Sequence, residues 1–196
     1  MVDRQASIAD AAIRVLAAAG TKGFTHRAVD KELGLPNGSA ANCFSTRSAL
    51  LSACAHRLVS ADLAEMAPTP IPAGQRLGVD DVGRLLARVL VSRLEQPARD
   101  RQRARLELLL DPSLPEDIRV LLIDVRRRFQ EMVVPNLVAL GCPVPERSAP
   151  QLVVFFDGLL YDQLLYPEIA LPAGELEQHF AEFVRCLTAS RLPESG

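Results

Sequence analysis

Apolar residues in this chain of 196 recur three and four positions apart almost from end to end, and no run alternates apolar with polar residues as a half-buried strand would. That periodicity confines the fold to helices, about nine of them, and leaves two questions: where they break, and what the breaks are for. With 48% hydrophobic residues the chain has ample apolar surface for buried cores.

Ile8, Ala12, Val15, Leu16 and Ala19 mark a first helix, with Ser7 as N-cap and Gly20 as stop. Thr25 caps a second that Gly34 ends. Ser45 or Thr46 caps a longer one over residues 47–66, striped by Leu50, Leu51, Cys54, Leu58 and Ala61. Pro68, Pro70 and Pro72 then forbid helix and mark a linker. Beyond it, Val82 to Leu90 sign a helix that stops near Pro97, and RQRARLELLL signs a shorter one before Pro112. Ile118 to Val133 form a stripe that Pro135 kinks or ends, and GCPVPERSAP reads as a turn-rich connection. Two last helices are expected over about 149–166 and 174–192.

Charge is unevenly spread. Residues 1–57 hold seven Lys/Arg against four Asp/Glu, a balance of +3, whereas the whole chain is at −2. A basic end on an acidic body suits an anionic partner at that end. The four cysteines show no metal-site spacing and read as reduced thiols. The start of the chain has no signal-peptide pattern, and its most apolar stretch, from Leu152, is cut by Asp157 and Asp162. These features fit a soluble cytoplasmic protein.

Within the basic end, GLPNGSAANCFSTRSALL has no large apolar side chain between Pro36 and Cys43. Asn37-Gly38 is a hairpin signal with no strands to join, so it serves a helix start. A helix from about Gly38 to Phe44 makes residues 25–44 a helix-turn-helix. The second helix of that motif enters the DNA major groove, where small side chains permit close approach. Ser39 and Asn42 are candidates for base reading, the Ala40 and Ala41 methyls for contact with thymine methyls, and Gly38 at the helix start belongs to the same candidate DNA-binding set.

Residues 7–58 resemble the N-terminal domain of the tetracycline-repressor (TetR) family of bacterial transcriptional regulators. The resemblance rests on Ala18-Ala19-Gly20, Phe24 to Val29, Gly34-Leu35-Pro36, Gly38-Ser39, Phe44, Arg47 and Leu50-Leu51, in the family's order and spacing. That family usually carries an aromatic ring at the place of Ala41 or Cys43, and this sequence has none there. The resemblance implies phosphate contacts from Thr25, Arg27 and Arg47, with His26 as a weaker candidate. It also implies a DNA-binding domain over residues 1–50, a fourth helix connecting it, and a helical effector-binding and dimerisation domain over 67–196.

In such a domain Arg88, Glu107, Asp124, Arg128 and Asp162 are the candidate polar lining of an effector cavity. Phe129, Phe155 and Tyr161 are its candidate walls. The wide stripes of the last two helices supply the expected dimer contact: Phe156, Gly158, Leu159, Leu160, Gln163, Phe180, Phe183, Val184 and Leu187. The expected function is a homodimeric repressor of a palindromic operator, released by a small-molecule effector, with no cofactor. His26, His56 and His179 are scattered, and Glu107 and Asp111 lack a Glu-x-x-His partner, so neither an enzyme nor a metal site is indicated. The competing expectation is a helical interaction protein whose helix-turn-helix no longer binds DNA specifically.

Overall fold

The computed structural model describes residues 4–65, 78–112 and 114–189, and the proline linker at 68–72 lies outside them. Every regular element among these residues is helical. In order they are α1 (Arg4–Gly23), α2 (His26–Glu32), α3 (Ser39–Cys43), α4 (Arg47–Glu65), α5 (Val79–Leu94), α6 (Ala98–Leu110), α7 (Glu116–Ala139), α8 (Pro145–Leu165) and α9 (Ala173–Ala189), with a 3-10 turn at Pro167–Ile169. Two compact units result, one from Met1–Ala67 with Gln96–Val125, the other from Pro68–Glu95 with Arg126–Gly196. Helix α6 packs on α1 and α4, and it groups with them in the first unit together with residues 116–125 of α7.

In the first unit α1 packs on α2, α4 and α6. Its stripe buries Ile8, Ala12, Val15 and Leu16, and Phe24, Leu50, Leu51, Leu58 and Leu108 are buried from the other elements. Each large side chain removed from water contributes about 1.5–3 kcal/mol. Gly20 turns the chain with φ +63, as expected of a stop, although helical turns resume as far as Gly23. Ser7 is not the N-cap, since α1 is already helical from Arg4. Arg57 of α4 grips Asp10 of α1 with two hydrogen bonds of 2.7 and 3.1 Å. Two further ion pairs, Arg105 with Asp62 and Arg101 with Glu65, tie α6 to α4.

In the second unit α5 lies against α9 so closely that a Cβ on Gly83 would sit 2.7 Å from the Glu177 carbonyl oxygen. One apolar cluster joins Val82, Leu137, Leu152, Val184 and Leu187, and another joins Ala87, Leu90, Leu160, Leu176 and Phe180. Phe155 stacks on Phe183 at 4.1 Å between centroids and meets Phe180 edge-on. Helix α8 begins at Pro145, so the last six residues of the expected GCPVPERSAP loop are helical. A first-turn proline lacks only an N–H that has no helical partner there, which makes Pro145 a starting signal and not a break.

Candidate nucleic-acid interface

The motif begins where Thr25, in extended backbone, accepts the Ala28 N–H on its Oγ1 at 3.1 Å and so caps α2. Thr25 and Arg27 are exposed at this end of α2. Gly34, at φ +65, ends the helix in the left-handed conformation that glycine adopts without strain. Gly38, at φ +91, is the N-cap of α3 and has no side chain with which to cap it.

The cap comes from α2. Asp30 is 1% exposed, and its carboxylate accepts the Gly38 N–H at 2.8 Å and the Ala40 N–H at 2.7 Å. Its backbone oxygen also accepts the Leu35 N–H at 2.8 Å. A carboxylate at a helix start satisfies otherwise unpaired amides and complements the positive end of the helix dipole. At the other end of α3, His26 Nε2 lies 2.6 Å from the Phe44 carbonyl oxygen, the distance of a donated hydrogen bond.

The candidate residues differ in how far they reach the surface. Ala40 is fully buried and Ser39 nearly so, which takes the Ala40 methyl away from any groove and leaves Ser39 little reach. The reason is the short helix itself, whose first residues turn inward under Asp30. Ala41 and Cys43 are half-buried, and Asn42 is the exposed member of α3. His26 faces the Phe44 carbonyl through Nε2.

Arg47 opens α4 beside Thr46, whose Oγ1 accepts the Ala49 N–H at 3.0 Å as the helix cap. The Arg47 guanidinium donates to the Thr21 carbonyl at 2.9 Å, stands 3.7 Å from the buried Asp111 carboxylate and lies over the Phe24 ring. It therefore fastens the α1–α2 turn while remaining partly exposed. Lys31 is exposed, and Arg14 pairs with Glu32 at 2.7 Å.

Residues 77–190 match the family model described as "Tetracyclin repressor-like, C-terminal domain". The chain belongs to the TetR family. Its members are non-enzymatic transcriptional regulators that bind DNA and dimerise. A transcriptional regulator from Rhodococcus sp. Rha1 has the same fold, with a TM-score of 0.76, 19% identity and coverage of 93% of this chain and 95% of its own. A TetR-family member from Streptomyces coelicolor A3 is 25% identical, with a TM-score of 0.65 over 92% of this chain and 98% of its own. The multidrug binding protein EbrR, complexed with imidazole, is 26% identical, with a TM-score of 0.56 and full coverage of both chains. No curated protein matches the chain in sequence.

The residues matched to the C-terminal domain fall in both units, and the remaining candidates are spread unevenly among them. Glu107 belongs to the first unit and is engaged there, its carboxylate accepting the Thr21 N–H at 3.3 Å. Asp124 also belongs to the first unit. In the second, Arg88 lines a shallow groove of about 200 Å³ with Val91, Ser92, Glu95, Ala173 and Glu177, and none of the other seven candidates does so. Phe129 lies under the buried Arg93 guanidinium, Phe155 is within the phenylalanine stack, and Tyr161 is half-buried. Arg128 and Asp162 are exposed, the latter accepting from Gln163 at 3.1 Å.

Among the expected dimer residues, Leu160, Phe180, Val184 and Leu187 are core of the protomer. Gln163 is buried too, its side-chain oxygen accepting the Leu171 N–H at 2.7 Å. These five are internal because the stripes of α8 and α9 were wide enough to hold both a core and an outer face. Helix α8 exposes Val154, Gly158 and Leu165, while Phe156 and Leu159 of α8 and Phe183 of α9 are half-buried.

No helix among the described residues is long and apolar enough to cross a membrane, and no group of three or more His, Cys, Asp or Glu gathers there to hold a metal.

Proposed function

We propose that this TetR-family regulator is a homodimeric repressor that reads a palindromic operator through α3, and that a small molecule bound in its second unit releases it. The observation that carries the reading is α3 itself: five small residues, its start held by Asp30 at the Gly38 and Ala40 amides, with Asn42 exposed in the same motif as the exposed Thr25 and Arg27. A helix of this girth can approach base edges closely, with Asn42 positioned to bond a base and Ala41 to touch a thymine methyl. Thr25 and Arg27 supply phosphate contacts, and Arg47 adds one from guanidinium donors that Thr21 leaves free.

One such helix reads few bases, so two must be held about one helical turn of DNA apart. The exposed Val154, Gly158 and Leu165 follow helical spacing down one side of α8, and a twofold contact there joins the protomers. The effector side is supported by EbrR, which is seen complexed with malachite green as well as imidazole. Aromatic and charged groups of the second unit, among them Phe129, Tyr161, Arg88, Arg128 and Asp162, are the ones to receive it.

A gel-shift titration against the DNA upstream of the protein's own gene, at several salt concentrations, tests the reading. Sequence-preferring binding that weakens steeply with salt supports it, since phosphate contacts release counterions. Absent or sequence-indifferent binding supports the alternative of a helical interaction protein.

A further inference from the structure

His26 and Asp30 stand four residues apart on α2, hence on one face of that helix. From this face Asp30 holds the amides of Gly38 and Ala40 at the start of α3, and His26 holds the Phe44 carbonyl at its end. A five-residue helix is far too short to be stable by itself. Helix α3 also has little apolar area to pack, its side chains being those of Ser39, Ala40, Ala41, Asn42 and Cys43. What fixes its direction is therefore polar, a carboxylate at the positive end of the helix and an imidazole N–H at the negative end.

We propose that Asp30 and His26 are positioning residues that set the pose of α3, and through it the base preference of the protein, without touching DNA. The inference rests on the DNA-reading role assigned to α3. It gives a physical answer to the missing aromatic ring, because a helix clasped at both ends does not need a bulky side chain of its own to hold its angle. It also removes two phosphate sites. The Gly38 and Ala40 amides are occupied by Asp30, whose negative charge repels an incoming phosphate, and the His26 donor is directed into the motif. For His26 to donate to a carbonyl, Nε2 carries the proton, an assignment that follows from its partner.

The test uses full-length chains carrying Asp30→Asn, His26→Ala or His26→Gln. Asp30→Asn retains one acceptor and turns an amide group against the other N–H, whereas His26→Gln retains a donor. Amide hydrogen exchange at Gly38 and Ala40 is read by NMR, with the amides of Leu50 and Leu51 as an internal control for the rest of the unit. DNA binding is read as the ratio of affinities for the site preferred by the unsubstituted chain and for random duplex, and as the salt dependence on random duplex.

Asp30→Asn is expected to speed exchange at Gly38 and Ala40 tenfold or more relative to the control amides. Asp30→Asn and His26→Ala are each expected to lower the specificity ratio tenfold or more with the random-duplex salt slope unchanged, and His26→Gln to restore at least half of the loss on a logarithmic scale. Unchanged exchange in Asp30→Asn, or a preserved ratio with the slope reduced by about one in His26→Ala, overturns the inference in favour of ordinary phosphate contact. If the unsubstituted chain prefers no site, the DNA-reading role fails and the base-preference inference with it, while the exchange data still decide whether Asp30 holds α3.

Discussion

The carboxylate of Glu107 on α6 accepts the backbone N–H of Thr21 at 3.3 Å. The other face of the same peptide segment is held by Arg47, which donates to the Thr21 carbonyl. The turn leading to the α2 cap is thereby pinned from α6 and α4 at one residue. Removing the acceptor leaves a part-buried amide unpaired, at a cost of about 1–3 kcal/mol. Glu107→Ala is accordingly expected to lower the unfolding free energy by that amount, seen as a lower urea midpoint with an unchanged m-value, and an unaltered midpoint would show that the bond contributes nothing.

Arg47 has a structural bond and an expected phosphate contact, and substitutions separate the two. Arg47→Ala should weaken binding to all DNA sequences alike and also lower stability. Arg47→Lys retains the charge but not the guanidinium geometry over Phe24 and Thr21. Affinity for random duplex, measured at low salt, should recover largely in the lysine variant while thermal stability does not.

Gly83→Ala tests the approach of α5 to α9. Alanine favours a helix over glycine by about 1 kcal/mol, but here its methyl would lie 2.9 Å from the Ala181 Cβ as well as against the Glu177 carbonyl. Overpacking costs about 1–3 kcal/mol and outweighs the helix preference. A lower melting temperature is expected, and a higher one would mean that the helices are farther apart than described.

Burial, with a smaller contribution from the neighbouring Asp10 carboxylate, pushes the Cys54 thiol from an ordinary 9.0 up to about 12. The folded chain keeps this proton at pH values where the unfolded chain has lost it. The group therefore takes nothing from stability below about pH 9 and lowers it progressively from there toward pH 12. Replacing Cys54 by Ala should flatten that alkaline decline in denaturation curves. At pH 8 a thiol reagent should modify exposed Cys186 rapidly and leave Cys54 and Cys142 unmodified in the native chain.

Much of the motif was legible in the sequence because it depends on local chemistry. Thr25 as a cap, Gly34 as a stop and Gly38 as a helix entrance follow from hydroxyl reach and backbone freedom, and all three stand in those roles. Asp30 was not legible: by spacing it is one more charged residue on an amphipathic helix, and its role exists only once α3 folds back over it. Ser39 and Ala40 turned inward for the same reason. Periodicity likewise could not divide the α8 and α9 stripes into core and outer face, since Leu160 and Leu165 are equally apolar and only the packing of α5 and α9 buries the first. Pro145 shows the converse limit, a residue with two opposite meanings that its position in the first turn decides.

Selection from a random pool of duplex DNA, run in parallel with the unsubstituted chain and with Asn42→Ala, measures base reading by α3 most directly. The unsubstituted chain is expected to enrich a palindrome with half-sites about one helical turn apart, and Asn42→Ala a site altered at defined positions in each half. Failure of the unsubstituted chain to enrich any site, or the same site from both, would contradict base reading by α3.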